Sequence, residues 1–466
     1  MLNKDIDMKC VSAVVCAAPW VEGVLYADGT LSTCCRNKTI LGNWKKDGLA
    51  NAYNSPLFQE FRIKFADGEI PDVSCRDCIN NGANRTIESE LVVAYSCILN
   101  EITPTLKENV NELHVFFSVL KHHENSDFVK ENISKCKKTI EDWLEEYHDI
   151  KRHLLKLIKI IEIAESYYER KTVVSAVVPF RQVALKTKCN ARCIHCPFLY
   201  TGAVINGMDM PRENFNEAFS SSQDMVGFFM HGSEFLYYDN WKNVADILKE
   251  NMVPLGFSTN GILLTPANTR YLIDNKLANV VSISLDGATK ETVESIRRNV
   301  KYDELLQNIE YLIEYVVKKK YPLALSFSFV LMKRNYNEYP EMIKIISEIK
   351  ERVCKTYGEN MLSPLNFYCQ TLEPPVTKEN NAFLAKEHIS LVKKDELISM
   401  FNKCLELKKM YDITIGVWYT STLEDFINAG YPIPPMPEYS ANLKTQSPVT
   451  EGVSEKAELP YLQKNI

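Results

Sequence analysis

Residues 186–198 read KTKCNARCIHCPF and place Cys189, Cys193 and Cys196 in a CxxxCxxC spacing. Three thiolates this close together can hold a metal, but a structural zinc site needs four closed ligands and a 4Fe–4S cluster is usually held by four cysteines. His195 could supply a fourth zinc ligand, yet zinc loops normally offer two ligand pairs separated by a longer span. The spacing therefore favours a 4Fe–4S cluster held by three thiolates, which leaves one iron open to a small-molecule ligand.

Short apolar segments alternate with amphipathic helical segments from about residue 176 to residue 420. The apolar segments are rich in Val, Ile, Leu and Phe, as parallel strands buried on both faces are. They are QVALKTK, MVGFFM, PLGFST, VVSISL, LALSFSFVL, LNFYCQ and ITIGVW, and the helical patterns lie near residues 211–221, 240–251, 266–275, 302–319, 338–356 and 394–410. This alternation predicts a parallel α/β sheet, either a partial open barrel or a doubly wound sheet, because the units are too few for the eight of a full barrel. In both architectures the chemistry lies at the C-terminal strand ends, and the CxxxCxxC stretch follows the first strand.

Further polar motifs follow the later strands in the order seen in the radical SAM superfamily, which this region resembles. HGSEF (231–235) stands where the family has GGEP and keeps its Gly and Glu, and STNG (258–261) follows the third strand. SISLDGATKETVESIRR (282–298) resembles the family's SxDG stretch followed by an arginine. The fifth strand ends in Asn335. The resemblance implies an α/β fold with a partial (β/α)6 barrel that binds S-adenosylmethionine (SAM). By that match the SAM-binding residues are Gly232, Ser233 and Glu234 at the amino group, Asn260 after the third strand, Ser284 and Asp286 near the ribose, and Arg297 near the carboxylate.

The same resemblance implies the reaction. SAM would chelate the open iron held by the three cysteines, and a reductant such as flavodoxin or ferredoxin would reduce the cluster. The SAM would then be cleaved to a 5′-deoxyadenosyl radical that abstracts hydrogen from the substrate, so the cofactor would carry the difficult chemistry and the protein would position and shield it. His195 would pack against the cluster or the adenine, and His231 would be structural.

A second cysteine pattern lies within residues 1–100. VLYADGTLSTCC (24–35) predicts a β-hairpin in which Asp28 and Gly29 supply the positive φ angles of a tight turn, and this hairpin would bring its two cysteines back toward Cys16. A CxxC pair follows at Cys75 and Cys78. A complete four-ligand site would therefore comprise Cys16, Cys34, Cys75 and Cys78, with Cys35 as a substitute for Cys34 and Cys97 unassigned. On spacing alone, zinc is a serious rival to an iron–sulfur cluster here.

The N-terminal region also resembles the SPASM/twitch auxiliary-cluster domain. The resemblance rests on CAAPW (16–20), DGTLSTCC (28–35), LGN (41–43), NSPLFQEFR (54–62) and SCRDC (74–78). It implies one auxiliary 4Fe–4S cluster held by four cysteines, because Asn84 stands where the full pattern has a further cysteine for a second cluster. Such a cluster would act as an electron relay or a structural element.

The sequence alone does not identify the substrate. The SPASM resemblance implies a peptide or protein substrate, and a sugar or aminocyclitol is the main alternative. A hypothesis from another class is a non-catalytic scaffold that binds zinc in its N-terminal region. The intact cysteine triad, together with Glu234, Ser284 and Asp286, argues against that scaffold.

We expect four regions: the auxiliary-cluster domain at 1–100, a helical linker at 101–175, the radical SAM core at 176–420 and a proline-rich, polar tail at 421–466. Within the linker, apolar residues at alternating steps of three and four predict one long helix or two joined helices, packed within the chain or in a coiled-coil dimer. These residues are Ile140, Trp143, Tyr147, Ile150, Leu154, Leu157, Ile161, Ala164 and Tyr168.

Composition and charge predict the cellular location of the protein and exclude some classes of partner. The formal net charge is −6 with no long basic tract, so binding to nucleic acid through phosphate neutralisation is not expected. The sequence contains no apolar run long enough to span a membrane and no apolar core of a signal peptide, so we expect a cytoplasmic protein with no membrane partner. The chain contains fourteen cysteines. In a reducing compartment, clustered cysteines take part in metal binding or catalysis more often than they form disulfides.

Overall fold

The computed structural model describes residues 16–35, 37, 39–80, 85–109, 111, 113, 126–230, 233–357, 364–372, 377–417 and 421–436. The chain forms two compact units. Unit 1 comprises Met1–Val183, Arg212–Phe229 and Ile247–Pro254, and unit 2 comprises Ala184–Pro211, Met230–Asp246 and Leu255–Ile466.

The strands are, in chain order, β1 (Glu22–Leu25), β2 (Thr30–Ser32), β3 (Gly42–Asn43), β4 (Phe180–Val183), β5 (Arg192–Cys193), β6 (Gly227–Met230), β7 (Leu255–Thr259), β8 (Ala278–Ser284), β9 (Arg297–Arg298), β10 (Ala324–Val330), β11 (Leu365–Gln370), β12 (Ile413–Val417) and β13 (Ser421–Thr422). The helices are α1 (Ala18–Val21), α2 (Trp44–Asp47), α3 (Leu49–Tyr53), α4 (Pro56–Ala66), α5 (Val73–Asn80), α6 (Ile87–Leu106), α7 (Ser126–Glu146), α8 (Lys151–Tyr168), α9 (Pro197–Tyr200), α10 (Ala203–Asn206), α11 (Arg212–Ala218), α12 (Trp241–Glu250), α13 (Pro266–Asp274), α14 (Lys290–Ile296), α15 (Tyr302–Lys319), α16 (Tyr339–Tyr357), α17 (Lys378–Glu387), α18 (Lys394–Met410) and α19 (Leu423–Asn428). Each predicted strand and each predicted helix of the region 176–420 has its counterpart here.

The hairpin predicted near the N-terminus is present in unit 1. Strands β1 and β2 pair antiparallel, with Val24 opposite Ser32, and Asp28 Oδ1 accepts a hydrogen bond from the Thr30 amide at 2.9 Å. Gly29 has a φ of +97°, which glycine adopts at little cost. The prediction that Asp28 shares this positive φ is wrong, since Asp28 does not have a positive φ. Its side-chain oxygen accepts from the Thr30 amide, as in an Asx turn.

The sheet of unit 1 joins segments that are far apart in the sequence. Its strand order is β3-β2-β1-β4-β6, and β1 runs parallel to β4. Arg181 of β4 is fully buried, and its guanidinium donates to the carbonyls of Ala218 (2.8 Å), Ser220 (2.6 Å) and Ser221 (3.0 Å). The segment that follows α11 is thereby held against β4.

The apolar stripe of the linker region is carried by two helices, α7 and α8, which pack against each other in unit 1. Helix α8 also packs on α6, and Leu154, Leu157 and Ile161 of the stripe are fully buried. Two joined helices are one of the two arrangements that the stripe predicts.

The parallel α/β sheet is confirmed in unit 2. Strands β7, β8, β10, β11 and β12 lie in the order β7-β8-β10-β11-β12 and pair in parallel, and β13 pairs antiparallel with β12. One set of alternate side chains is buried and apolar, as Phe257, Phe327 and Phe367 show. The other set forms a polar row across the five strands: Ser258, Ser282, Ser326, Asn366 and Thr414.

Residues at the start of the expected C-terminal tail carry regular structure. Strand β13 and helix α19 follow one another, and Phe426 of α19 packs against Phe401 at a ring-centroid distance of 4.7 Å. In the described part of the chain, no helix has the length and apolar character needed to cross a membrane.

Candidate functional site

The CxxxCxxC loop of unit 2 is pinned by backbone pairing. Strand β5, which contains Cys193, pairs antiparallel with β9, which contains Arg297, and the Ile194 amide donates to the Ile296 carbonyl at 2.9 Å. Ile194 is buried in an apolar cluster, so the loop is also anchored by packing. The other members of that cluster are Ile296, Val330, Met332, Leu372 and Leu384. Backbone pairing and apolar packing thus both hold the loop.

The thiols of this loop lie in a region where burial and positive charge oppose each other. Burial raises the pKa of Cys193 to about 11, and the guanidinium of Arg297 acts in the opposite direction. Burial likewise raises the pKa of Cys189, against the backbone amide of Ala191 and the charge of Arg297. Cys196 is half-buried. Neutral thiols are favoured here until a metal binds, because metal ligation requires the thiolate and releases the proton.

Glu234 connects two strand ends to the cysteine loop. Its Oε1 accepts from the Thr259 hydroxyl at 2.8 Å, and its Oε2 accepts from the Asn260 amide at 2.7 Å. The Asn260 side chain then donates to Asn190 Oδ1 at 2.7 Å and lies 3.9 Å from Cys189 Sγ. Burial raises the pKa of Glu234 to about 7, although the Asn260 amide and the Thr259 hydroxyl favour the carboxylate.

Asp286 is held from three sides in a left-handed conformation, with a φ of +60°. Its Oδ2 pairs with Arg297 Nη1 at 2.5 Å, and its Oδ1 accepts from the Val330 amide at 2.7 Å. Asn335 Nδ2 donates to the Asp286 carbonyl at 2.9 Å. His195 Nε2 lies 3.7 Å from the same Oδ2, and burial lowers the pKa of His195. A non-glycine residue with this φ is retained where the surroundings fix it, often at functional sites.

Four of the predicted SAM-site residues of unit 2, Glu234, Asn260, Asp286 and Arg297, take part in the contacts described above. Two others bond different partners. Ser233 Oγ donates to the Lys188 carbonyl at 2.5 Å, and Ser284 Oγ accepts from Ser328 Oγ at 3.1 Å. Gly232 and His231, also singled out from the sequence, lie outside the described residues.

Two further residues of this site were missed by the sequence analysis. Asn190 bonds Asn260, and Arg192 donates to the carbonyls of Ala191 (2.8 Å) and Cys189. Both stand between Cys189 and Cys193, and their polar side chains in so short a loop are the available sequence signal.

Three buried side-chain nitrogens of this site have no hydrogen-bond partner among the described residues: Asn190 Nδ2, His195 Nδ1 and Arg297 Nε. A buried polar group without a partner is costly, so native sites that contain one commonly serve a ligand or an ordered water. Asn190 Nδ2 and Arg297 Nε can only donate. The three thiols lie on the loop that also contains Asn190 and His195. The donor set therefore fits a cluster together with an anionic, hydrogen-bonding ligand such as the carboxylate end of SAM.

Unit 1 contains a cavity lined by all four cysteines of the second predicted set. Cys16 precedes α1, Cys34 follows β2, and Cys75 and Cys78 lie three residues apart on α5, where they share a face. Cys34 rather than Cys35 lines the cavity, and Cys97 lies on α6. The remaining lining residues are Ala18, Pro19, Thr33, Asn37, Phe65, Ser74 and Ile79.

Burial governs the thiols of this cavity as well. It raises the pKa of Cys16 to about 12 and that of Cys75 to about 11, and it raises the pKa of Cys34 with the further effect of the Glu22 charge. Four thiols around one sheltered cavity fit an iron–sulfur cluster with a complete cysteine set. Among the described residues, no group of three or more His, Cys, Asp and Glu side chains converges as a single metal ion would require. Asn84, which stands where the resemblance would place a further cysteine, lies outside the described residues.

Two family models match the chain. The model described as the radical SAM superfamily matches residues 184–346, and the model described as an iron–sulfur cluster-binding domain, SPASM, matches residues 16–79. The first match includes the CxxxCxxC loop with its network, and the second ends one residue after Cys78 and includes the whole four-cysteine set.

Curated relatives match over part of their length. Mycofactocin maturase MftC of Mycolicibacterium smegmatis is 27% identical over 127 residues, which is 27% of this chain and 31% of the relative. MftC of Mycobacterium tuberculosis is 25% identical over 162 residues, which is 34% of this chain and 39% of the relative. The chain thus spans well under half the length of these relatives.

Similar solved structures include Streptococcus suis SuiB. SuiB bound to S-adenosylmethionine has a TM-score of 0.40 at 15% identity, with 65% of this chain and 64% of that chain covered. SuiB bound to precursor peptide SuiA has a TM-score of 0.41 at 15% identity, with 67% of each chain covered.

Proposed function

We propose that this chain, a member of the radical SAM superfamily that carries a SPASM domain, binds a 4Fe–4S cluster through Cys189, Cys193 and Cys196 and cleaves SAM reductively. The observation that carries the proposal is the juxtaposition of that three-thiol loop with buried donors that lack partners. Three protein ligands leave one coordination position for a small molecule.

Each group of the network has a part in this function. When bound, the reduced cluster supplies the electron that splits SAM into methionine and a 5′-deoxyadenosyl radical, which abstracts hydrogen from the substrate. Arg297, oriented by Asp286, offers its free Nε to the SAM carboxylate. Glu234 accepts from the SAM amino group with the remaining lone pairs of its carboxylate. Gly232 and Ser233 contact the same amino group. Asn260 holds the cysteine loop through Asn190, and Ser284 offers its hydroxyl to the ribose.

We assign the second cysteine set to an auxiliary 4Fe–4S cluster, held by Cys16, Cys34, Cys75 and Cys78. All four thiols line one cavity of unit 1, and this supports a common ligand. Because the protein supplies every ligand, this cluster serves as an electron relay or a structural element, and a flavodoxin or ferredoxin serves as the reductant. The four regions expected from the sequence, from 1–100 to 421–466, remain our proposal for the domain organisation.

We propose a peptide substrate, with a polar small molecule as the alternative. The curated relatives are named as maturases of mycofactocin. The polar row of the unit 2 sheet, whose Ser282 hydroxyl lies 2.8 Å from the Tyr368 hydroxyl, supports a substrate that donates and accepts hydrogen bonds, as a peptide backbone does.

The test is anaerobic purification followed by iron and sulfide analysis and an assay of SAM cleavage to 5′-deoxyadenosine. We expect about eight irons per chain, as two 4Fe–4S clusters contain, and cleavage after reduction. Cys193→Ala should abolish cleavage and halve the iron. Cys354→Ala, at a half-buried cysteine on α16, is the matched control and should retain both.

Two results would overturn parts of the proposal. Cleavage that survives Cys193→Ala would remove the role of the CxxxCxxC loop. About four irons together with one zinc would assign the unit 1 cavity to zinc.

A further inference from the structure

A buried amide group is hydrogen-bonded to one thiol of the unit 1 cavity. Asn37 is 1% exposed, and its Nδ2 lies 3.2 Å from Cys75 Sγ. Its Oδ1 accepts from the Thr39 backbone amide at 2.6 Å. A backbone N–H can only donate, so the oxygen must face Thr39 and the NH2 group must face the sulfur.

The loop that carries Asn37 is tied to the helix that carries Cys75. The Thr39 hydroxyl donates to Asp72 Oδ2 at 2.9 Å, and Asp72 Oδ1 accepts from the Ser74 amide at 2.7 Å. Asp72 thereby fixes the start of α5 as well as the loop. The distance from the Asn37 amide to the sulfur is set by this chain of bonds and not by the amide alone.

A buried carboxylate lies near another thiol of the same cavity. Glu22 of β1 is fully buried, and β1 pairs with β2, which ends at Ser32, two residues before Cys34. Glu22 Oε2 lies 3.4 Å from Arg85 Nε, and Gln182 donates to Oε1. One ligand thus has a neutral donor beside it, and another has a negative charge nearby.

From these contacts we infer that Asn37 and Glu22 are positioning residues that set the reduction potential of the auxiliary cluster in opposite directions, an inference that rests on the proposed cluster in unit 1. Reduction adds an electron to the cluster and increases the negative charge on its sulfur ligands. An N–H donor to a ligand sulfur stabilises the reduced form, whereas a nearby carboxylate destabilises it. Asn37 therefore raises the potential and Glu22 lowers it.

The test isolates the auxiliary cluster in the full-length chain. Cys189, Cys193 and Cys196 are replaced by Ala together, and the remaining cluster is titrated with dithionite while its electron paramagnetic resonance signal is recorded. Asn37→Asp keeps the acceptor for Thr39 and replaces the donor with an anionic oxygen. We expect the equilibrium constant for its reduction to fall at least tenfold, which is a shift of at least about 59 mV to more negative potential for one electron.

A second variant, Glu22→Gln, tests for a shift of the reduction potential in the opposite direction. Glu22→Gln keeps the shape and removes the charge, so we expect a shift to more positive potential. Asn37→Leu removes the donor without adding charge and should shift the potential in the negative direction by less than Asn37→Asp. Asn51→Asp, on the exposed surface of α3, is the matched control and should leave the potential unchanged.

The outcomes separate this inference from the proposed function. Zinc instead of iron in the triple-alanine chain would overturn the auxiliary cluster itself. A loaded 4Fe–4S cluster whose potential is the same in Asn37→Asp, Glu22→Gln and the parent would overturn the inference alone. If Asn37→Asp fails to retain its cluster, the Glu22→Gln and Asn37→Leu shifts decide, and the absence of both overturns it.

Discussion

At the scale of single residues, Asp286 shows how the strongest constraints of the site are electrostatic. The residue adopts a positive φ, and its carboxylate and carbonyl bind three partners from different segments. Since Arg297 is buried as well, the ion pair between the two is sheltered from water.

Replacing Asp286 with Ala should therefore destabilise the chain. Loss of one partner leaves the Arg297 charge buried without compensation, which costs about 3–5 kcal/mol of unfolding free energy. The measurement is urea unfolding of the cluster-free chain. Asp303→Ala, which breaks an exposed ion pair with Lys290, is the control and should have no measurable effect. Equal effects of the two substitutions would contradict the prediction.

Glu234 should make the stability of the cluster-free chain depend on pH. Burial raises its pKa from 4.5 to about 7, so the folded chain keeps a proton that the unfolded chain releases. Its contribution to stability is present at low pH, decreases as the pH rises from 4.5 toward 7, and is constant above that value.

Glu234→Gln is the comparison, because an amide mimics the protonated acid. Its oxygen can accept from the Asn260 amide, and its NH2 group can donate to the Thr259 hydroxyl oxygen. The difference in urea unfolding free energy between the parent and Glu234→Gln should decrease with pH over that range. A difference that stays constant with pH would show that folding leaves the pKa of Glu234 unchanged, and a difference that increases would show that folding lowers it.

Asn37 marks the limit of sequence reasoning at this scale. An asparagine in a turn is so common that nothing in the sequence distinguishes it from a turn former. Its contact with Cys75 depends on where the loop and α5 meet, and this is a tertiary fact. Glu234, in contrast, was identified from its motif, but its bonds to Thr259 and Asn260 were not.

At the scale of secondary structure, periodicity predicted unit 2 well. The predicted helix 302–319 and the predicted strand LNFYCQ coincide with α15 and β11, because alternation of apolar and polar residues is strong in both. The junction between α7 and α8 was not placed by the sequence. Residues 147–150 contain neither Gly nor Pro, so the apolar stripe continues across the break without a local signal.

The packing of α8 can be tested with two neighbouring leucines. Leu154 is fully buried, whereas Leu155 is 47% exposed. Leu154→Ala should lower the unfolding free energy by about 2–5 kcal/mol because it leaves a cavity, and Leu155→Ala should change it far less. Urea unfolding of both variants followed by circular dichroism measures the difference. Similar effects would mean that α8 does not bury its stripe within the chain.

At the scale of the whole molecule, each cysteine set is contained within one unit. Unit 1 contributes all four thiols of its cavity, and the CxxxCxxC loop belongs to unit 2. The cysteine spacing predicts the same two groups, because ligand spacing is local. The pairing of β1 with β4 could not be predicted, since no local pattern specifies which strands become neighbours over so long a separation.

Independent loading of the two sets follows from this arrangement. Cys16→Ala should lose about half of the iron and keep a cluster whose paramagnetic spectrum changes when SAM is added. Iron analysis and spectra of the reduced protein, with and without SAM, provide the measurement. Loss of all iron in Cys16→Ala would show that the sets do not load separately.

The burial of Arg181 limits how this protein can be divided or recombined. Its guanidinium relies on carbonyls at Ala218, Ser220 and Ser221, which lie beyond the CxxxCxxC loop in the sequence. A fragment cut after residue 183 would leave that cation with only the carbonyls of Val177 and Val178 as acceptors, and loss of the other three would cost several kcal/mol. Unit 1 therefore cannot be transferred as residues 1–183 alone, and a chimaera with another enzyme must also include residues 212–229.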